Sequence, residues 1–173
     1  MGLIFSNSLC LFFAWLFGRG VVHKLSALDY YRELVASYVP IRGAAAALLG
    51  LVIVLELTLV ALLLLPCSGA MGLGGSALLL GIYAAFMTWQ LCQGRTAMSC
   101  GCSGANYPLV ISPALVLRNV ACAIVALLAA AYAEHWGTWP QLLMALVLAL
   151  LLAAACLLFE QLLANAQYMN EEV

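Results

Sequence analysis

Two cysteines, Cys100 and Cys102, lie one residue apart in a polar, glycine-bearing segment of an otherwise apolar chain. Their sulfurs are close enough in sequence to bond to each other, and Gly101 supplies the backbone freedom that so short a ring demands. A strained, accessible disulfide is easily reduced, which suits thiol–disulfide exchange better than structural stapling. The pattern favours a redox-active pair, with metal binding and a static loop disulfide as alternatives.

Metal binding by this pair would require two further ligands with compatible spacing. On the membrane face that we expect to carry the cysteines, Cys92 and His23 are the only nearby candidates. They fall far short of a repeated Cys-x-x-Cys pattern, so we predict no metal site.

The elements that position these cysteines are predicted to be membrane helices. Of the 173 residues, 67% are hydrophobic and 8% are charged, far outside the range of soluble domains. About 20 apolar residues in a helix cross the ~30 Å hydrocarbon core. Such segments occur at about 3–25, 44–65, 73–92, 113–133 and 139–163. We predict one all-α domain over 1–173, a polytopic membrane helix bundle of four to five transmembrane helices, with the cysteines in a loop over 93–112.

The connections between these segments differ in character. Residues 26–42 form the longest hydrophilic stretch, which we interpret either as an amphipathic helix along the membrane interface or as an ordinary polar connection. The glycines at 69, 72, 74 and 75 predict a short uncharged turn before the third span. The first segment lacks the features of a cleaved signal peptide, so we expect a retained span.

Charged residues inside the spans are costly, so each should have a partner or a function. At 1.5 Å per residue, Glu56 lies about 18 Å below the membrane face that carries the cysteines, Arg19 roughly 9 Å and Arg118 roughly 7.5 Å. We expect a long arginine to reach Glu56, and Arg19, Glu56, Arg118 and Asn119 to form a polar column under the cysteine loop. A purely structural Arg19–Glu56 pair is the alternative. Lys24 is expected to be an interfacial anchor.

The cysteine segment also resembles a known family. The runs Cys-Gly-Cys-Ser-Gly at 100–104, Ile-Ser at 111–112 and Leu-Arg-Asn at 117–119 resemble the MauE branch of the MauE/DoxX-like family, named for methylamine utilisation. The glycines and His-Lys-Leu of 18–25 and the Leu-Glu of 55–56 are similar to the family's first and second spans. Ser103 stands where the family has phenylalanine, a departure that affects local packing and not the cysteines.

The resemblance implies a bacterial inner-membrane protein that helps to form disulfides in a periplasmic client. That client would be one such as the methylamine dehydrogenase small subunit, with a thioredoxin-like protein as partner. We expect Cys100 and Cys102 to cycle between dithiol and disulfide. The electrons need an acceptor, and a membrane quinone held between the spans is the economical choice. Arg118, Arg19 or His23 would polarise its carbonyls, and Trp89 or Trp15 would pack on its ring.

Two other functional classes stay open at this point. One is a non-enzymatic membrane scaffold that anchors a soluble redox protein, and the other is a small-molecule or ion carrier built around Glu56. The net charge of −1 gives no electrostatic reason to expect nucleic-acid binding.

Two features of the sequence give conflicting predictions of the orientation in the membrane. Lys24, Arg32, Arg42 and Arg95 belong to the cysteine side, whereas the opposite turns carry no lysine or arginine. The positive-inside rule therefore favours a cytoplasmic cysteine loop. The resemblance implies a periplasmic one, and we expect the periplasmic orientation.

Overall fold

The structure is a computed structural model that describes residues 2–38, 43–94, 109–133 and 136–171. Within these ranges the chain forms six α-helices and no strand: α1 (Gly2–Ser26), α2 (Leu28–Tyr38), α3 (Ala44–Leu64), α4 (Gly69–Cys92), α5 (Pro113–Ala130) and α6 (Trp139–Glu171). All but α2 are long and apolar enough to cross a membrane. The predicted all-α polytopic bundle is therefore confirmed, with five spanning helices. Cys100 and Cys102 lie outside the described residues.

Helix α1 lies at the centre of the bundle and contacts each of the other five helices. Its five consecutive residues from Ser6 to Cys10 are all buried, so neighbours cover every side of the helix there. Helix α1 is therefore the element on which the others pack.

The glycines between the second and third spans form helix, and the predicted turn over them was wrong. Gly72 and Gly75 lie inside α4. A Cβ atom at Gly72 would lie 2.9 Å from the Cδ2 of Leu63, and one at Gly75 would lie 2.5 Å from the Cδ2 of Leu59. Their missing side chains let α4 pack closely against α3, as small residues do between membrane helices.

The hydrophilic stretch after α1 contains helix α2, so the helical alternative for residues 26–42 is the correct one over 28–38. Tyr31 is buried at 2% exposure, in a cluster with Val21 of α1 and Leu49 of α3. Arg32 and Glu33 on α2 are exposed. The helix is thus amphipathic and packs on the end of the bundle.

Helix α6 packs against α1 through small residues at four-residue spacing. Ala145, Ala149 and Ala153 are all buried. Glu160 lies seven residues after Ala153, which is about two helical turns along the same face. Because Glu160 lies on the same face of α6 as the buried alanines, its carboxylate is also buried inside the bundle.

Contacts between helix ends show which of them lie at the same end of the bundle. An ideal Cβ on Gly2 would lie 3.7 Å from Tyr132, so α1 begins near the end of α5. Gln167 near the end of α6 bonds to Val110, just before α5 begins. The end of α4 and the start of α5, which flank the cysteines, therefore lie at the same end of the bundle as the end of α6.

Candidate functional site

A buried carboxylate on α6 joins two arginines from other helices. Arg19 of α1 donates from Nη2 to Oε2 of Glu160 at 2.7 Å, and Arg118 of α5 donates from Nη1 to Oε1 at 2.8 Å. The Glu160 side chain is only 8% exposed. We call these three residues the α6 triad, and it links α1, α5 and α6 by charge.

A second buried carboxylate, Glu56 of α3, is held by two donors. Lys24 of α1 donates from Nζ to both carboxylate oxygens, at 2.8 and 2.9 Å. The hydroxyl of Tyr83 on α4 donates to Oε1 at 2.8 Å. The side chain of Glu56 is 3% exposed and that of Lys24 is 10% exposed. We call this group the α3 cluster, and it links α1, α3 and α4.

The expected pairing of Arg19 with Glu56 was wrong, and so was Lys24 as an interfacial anchor. A Cβ on Gly20 would lie 3.6 Å from a Glu56 oxygen, so the Gly20 face of α1 is the one that meets Glu56. Lys24 lies four residues after Gly20 and shares that face. Arg19 is rotated by about 100° from Gly20 in a helix of 3.6 residues per turn, so it points to Glu160 instead.

Among the predicted site residues that the structure describes, Asn119 is the most deeply buried, at 1% exposure. Its Oδ1 accepts from Nε and Nη2 of Arg118, at 3.4 and 3.2 Å. Its Nδ2 donates to the Sδ of Met87 at 4.0 Å, a long contact to a weak acceptor. The predicted Arg118 and Asn119 are therefore brought together with Arg19, whereas Glu56 belongs to the other cluster.

Two residues predicted as quinone contacts, His23 and Trp89, lie outside the cavity that is described in the next paragraph. The Nε2 of His23 accepts a hydrogen bond from Nε of Arg19 at 3.2 Å. The guanidinium of Arg19 also lies over the ring of Trp15, 5.6 Å from its centroid. Trp89 is 64% exposed on the outside of the bundle. Neither His23 nor Trp89 lines the cavity described next.

A cavity of about 390 Å³ lies between the helices, and both charged groups line it. Asn119 also lines it, and the remaining lining is mostly aliphatic and aromatic, including Leu49, Val52, Phe86 and Ile111. Tyr38 and Phe86 meet edge to face in its wall, with ring centroids 5.1 Å apart. Apolar walls with a few converging polar groups are typical of small-molecule sites.

The segment that follows the cysteines is anchored to the bundle. The N–H of Val110 donates to Oε1 of Gln167 at 3.1 Å, and Nε2 of Gln167 donates to the Val110 carbonyl at 3.0 Å. Leu109 and Ile111, on either side, are buried in a cluster with Met87 and Leu115. Both ends of the cysteine-bearing segment are thus attached to packed helices.

The cysteines within the described ranges are all unbridged: Cys10, Cys67, Cys92, Cys122 and Cys156. Cys122 lies on α5 and Cys156 on α6, two helices with no Cα atoms within 8 Å of each other. A disulfide needs Cα atoms closer than about 7 Å, so this pair cannot form one without helix movement. No group of three metal-ligating side chains is found in the described part of the chain.

Glu160 and Tyr83 were not anticipated as site residues. For Glu160 a signal exists: it is the single charged residue in the apolar segment 139–163, and an intramembrane charge indicates a functional position. Its register with Ala149 and Ala153 predicts the face on which it lies. Tyr83 carries no comparable signal, because tyrosine is common in membrane helices.

Comparison with known proteins agrees with the resemblance seen in the motifs. The family model described as methylamine utilisation protein MauE matches residues 3–133, which leaves α6 outside the match. The comparisons with curated proteins and with solved structures gave no significant match. Because the family match extends over most of the chain, this multi-pass membrane protein belongs to the MauE family of methylamine utilisation proteins.

Proposed function

We propose that this protein is a thiol–disulfide redox protein of the bacterial inner membrane. In this proposal Cys100 and Cys102 exchange disulfides with a thioredoxin-like partner, and the final product is a disulfide in a periplasmic client such as the methylamine dehydrogenase small subunit. The observation that carries the proposal is the Cys-Gly-Cys sequence inside the MauE-matched region, between two helix ends that are anchored in the bundle.

Anchored flanks suit this chemistry. Exchange requires sulfurs that a partner can reach, on a scaffold that holds them in a repeatable place. The contacts of Gln167 with Val110, and the burial of Leu109 and Ile111, support such a scaffold on one side. On the other side, α4 continues as helix to Cys92.

The proposed exchange runs in two steps. A thiolate of the reduced partner attacks one sulfur of the Cys100–Cys102 disulfide, and the other sulfur leaves as a thiolate. The second partner thiolate then attacks the mixed disulfide, which releases the partner as a disulfide and leaves Cys100 and Cys102 as a dithiol. The two electrons of the partner are thereby carried by the pair, which must pass them to an acceptor before the next cycle.

A periplasmic cysteine segment is part of the proposal. Lys24 is paired with Glu56 inside the bundle, so it does not count as a loop charge. Three arginines remain in the connections that we predict on the same membrane side as Cys100 and Cys102: Arg32, Arg42 and Arg95. By the positive-inside rule they favour a cytoplasmic position for the cysteine segment. The orientation therefore has to be measured together with the redox state.

Labelling with a membrane-impermeant maleimide in intact cells tests both points. The variant to use keeps Cys100 and Cys102 and has serine at the other five cysteines. We expect labelling only after prior reduction, which corresponds to an oxidised pair in the periplasm. Labelling only after lysis, with no need for reductant, would place free thiols in the cytoplasm and refute the proposal.

Cys67 provides a matched control for orientation. It is exposed in the connection between α3 and α4, at the opposite end of the bundle from the end of α4 and the start of α5, which flank Cys100 and Cys102 in the sequence. A variant with Cys67 as its single cysteine should therefore label only after lysis if the pair faces the periplasm.

The scaffold and carrier alternatives make different predictions. A scaffold should still recruit its partner and support part of the activity after Cys100→Ser with Cys102→Ser, whereas the redox proposal expects loss of client disulfides. A carrier built on Glu56 should fail in Glu56→Gln while the thiol pair continues to cycle.

A further inference from the structure

We infer that the cavity between the α6 triad and the α3 cluster binds a membrane quinone, with the ring carbonyls accepting hydrogen bonds from Asn119 and Arg19. The site itself is argued from the described residues alone. Its role as the electron acceptor of the cysteine pair rests on the proposed function.

Two donors in the cavity lack a strong acceptor among the described residues. Asn119 is 1% exposed, and the partner of its Nδ2 is the Met87 sulfur at 4.0 Å. Arg19 bonds through Nε and Nη2, whereas its Nη1 makes no hydrogen bond within the described part of the chain. Buried donors in proteins are normally satisfied, so the Asn119 amide points to a ligand that supplies an acceptor oxygen. The Arg19 side chain is 24% exposed, and its Nη1 is available to donate to the same ligand.

The charges favour a neutral acceptor over a phosphate. Of the described lining residues, three are cationic and two are carboxylates, and each cation already lies against a carboxylate. A phosphate would be repelled by Glu56 and Glu160. A carbonyl oxygen carries no net charge and gains from nearby cations without that repulsion.

The size and walls fit a quinone ring. A cavity of about 390 Å³ is at the small end of ligand pockets, so it suits a ring with part of its tail better than a whole phospholipid. The edge-to-face pair of Tyr38 and Phe86 gives the wall an aromatic surface. Aliphatic side chains such as Val52 complete an apolar lining that an isoprenoid tail can follow.

The redox balance also requires a two-electron, two-proton acceptor. When the Cys100 and Cys102 dithiol closes to a disulfide, it releases two electrons and two protons. A quinone takes up both and becomes the quinol, so no other reactant is needed. Ile111, nine residues after Cys102 in the chain, lines the cavity and joins the two sites through a short segment.

Binding of a short-chain ubiquinone analogue to the purified full-length protein tests the inference. We expect Asn119→Leu to weaken binding about tenfold, since one hydrogen bond to a buried donor is lost. Asn7→Leu is the matched control: Asn7 is also buried, at 4% exposure, but lies on α1 outside the cavity. Its dissociation constant should equal that of the wild type.

A second variant keeps the test valid if Asn119→Leu does not fold. Val52→Phe fills the cavity and removes no polar contact, and it should abolish quinone binding in a protein that still purifies as a single species. Equal binding by the wild type and Val52→Phe, or co-purification of phospholipid alone with no quinone affinity, would overturn the inference.

The variant with serine at Cys100 and Cys102 separates this inference from the proposed function. It should bind the quinone with an unchanged dissociation constant, because the residues that carry this inference are all retained in it. If the wild type binds quinone but its reduced pair is not oxidised by it, the binding site stands and the redox coupling fails.

Discussion

Replacing Glu160 with glutamine should destabilise the bundle by about 3 to 5 kcal/mol, the range measured when one partner of a buried ion pair is removed. The carboxylate is 8% exposed and accepts from Arg19 at 2.7 Å and from Arg118 at 2.8 Å. Glutamine keeps the size and one acceptor oxygen but removes the charge. Two guanidinium groups then remain near each other in the interior without the anion that separates them.

The assay is reversible unfolding of the purified protein in detergent, followed by circular dichroism against heat or denaturant. A loss of this size corresponds to a fall in melting temperature of roughly 10 °C for a chain of this length. Glu33→Gln is the matched control, because Glu33 is exposed on α2. An exposed substitution should change stability by less than about 0.5 kcal/mol.

A triple variant tests whether the cost comes from the unpaired charges. Arg19→Met, Arg118→Met and Glu160→Leu together remove all three charges, and they should recover much of the stability lost in Glu160→Gln. If Glu160→Gln has the same melting temperature as the Glu33→Gln control, the triad does not stabilise the bundle and the electrostatic argument is refuted.

Two further predictions concern packing and the anchored segment. Gly72→Ala should destabilise the protein by about 1 to 3 kcal/mol through the clash with Leu63, whereas Gly81→Ala, with open space around its Cβ, should stabilise α4 by up to about 1 kcal/mol. Equal unfolding midpoints for Gly72→Ala and Gly81→Ala would contradict the close approach of α3 and α4. Gln167→Leu should raise the rate of hydrogen exchange at the Val110 amide severalfold, as measured by mass spectrometry. An unchanged rate would show that the hydrogen bonds between Gln167 and Val110 do not stabilise this segment.

Much of the site could be predicted because membrane insertion constrains sequence locally. The five spans follow from apolar length, and Arg19, Glu56 and Arg118 stand out because a charge is costly in hydrocarbon. The cysteine pair and the Arg-Asn motif pointed to the MauE family, which the family match confirms. None of these inferences required knowledge of how the helices pack.

The sequence by itself thus determined the spans, three of the charged residues that needed partners (Arg19, Glu56 and Arg118) and the family; it missed Glu160 and the role of Lys24. Only the tertiary structure decided which partners meet, because neighbouring residues on a helix point about 100° apart and the rotation of each helix is set by packing. Arg19 therefore pairs with Glu160 on α6, while Lys24, on the Gly20 face, takes Glu56. The same packing stabilises the glycines at the start of α4 as helix. It also places Asn119 at a cavity that is lined by residues from all six helices.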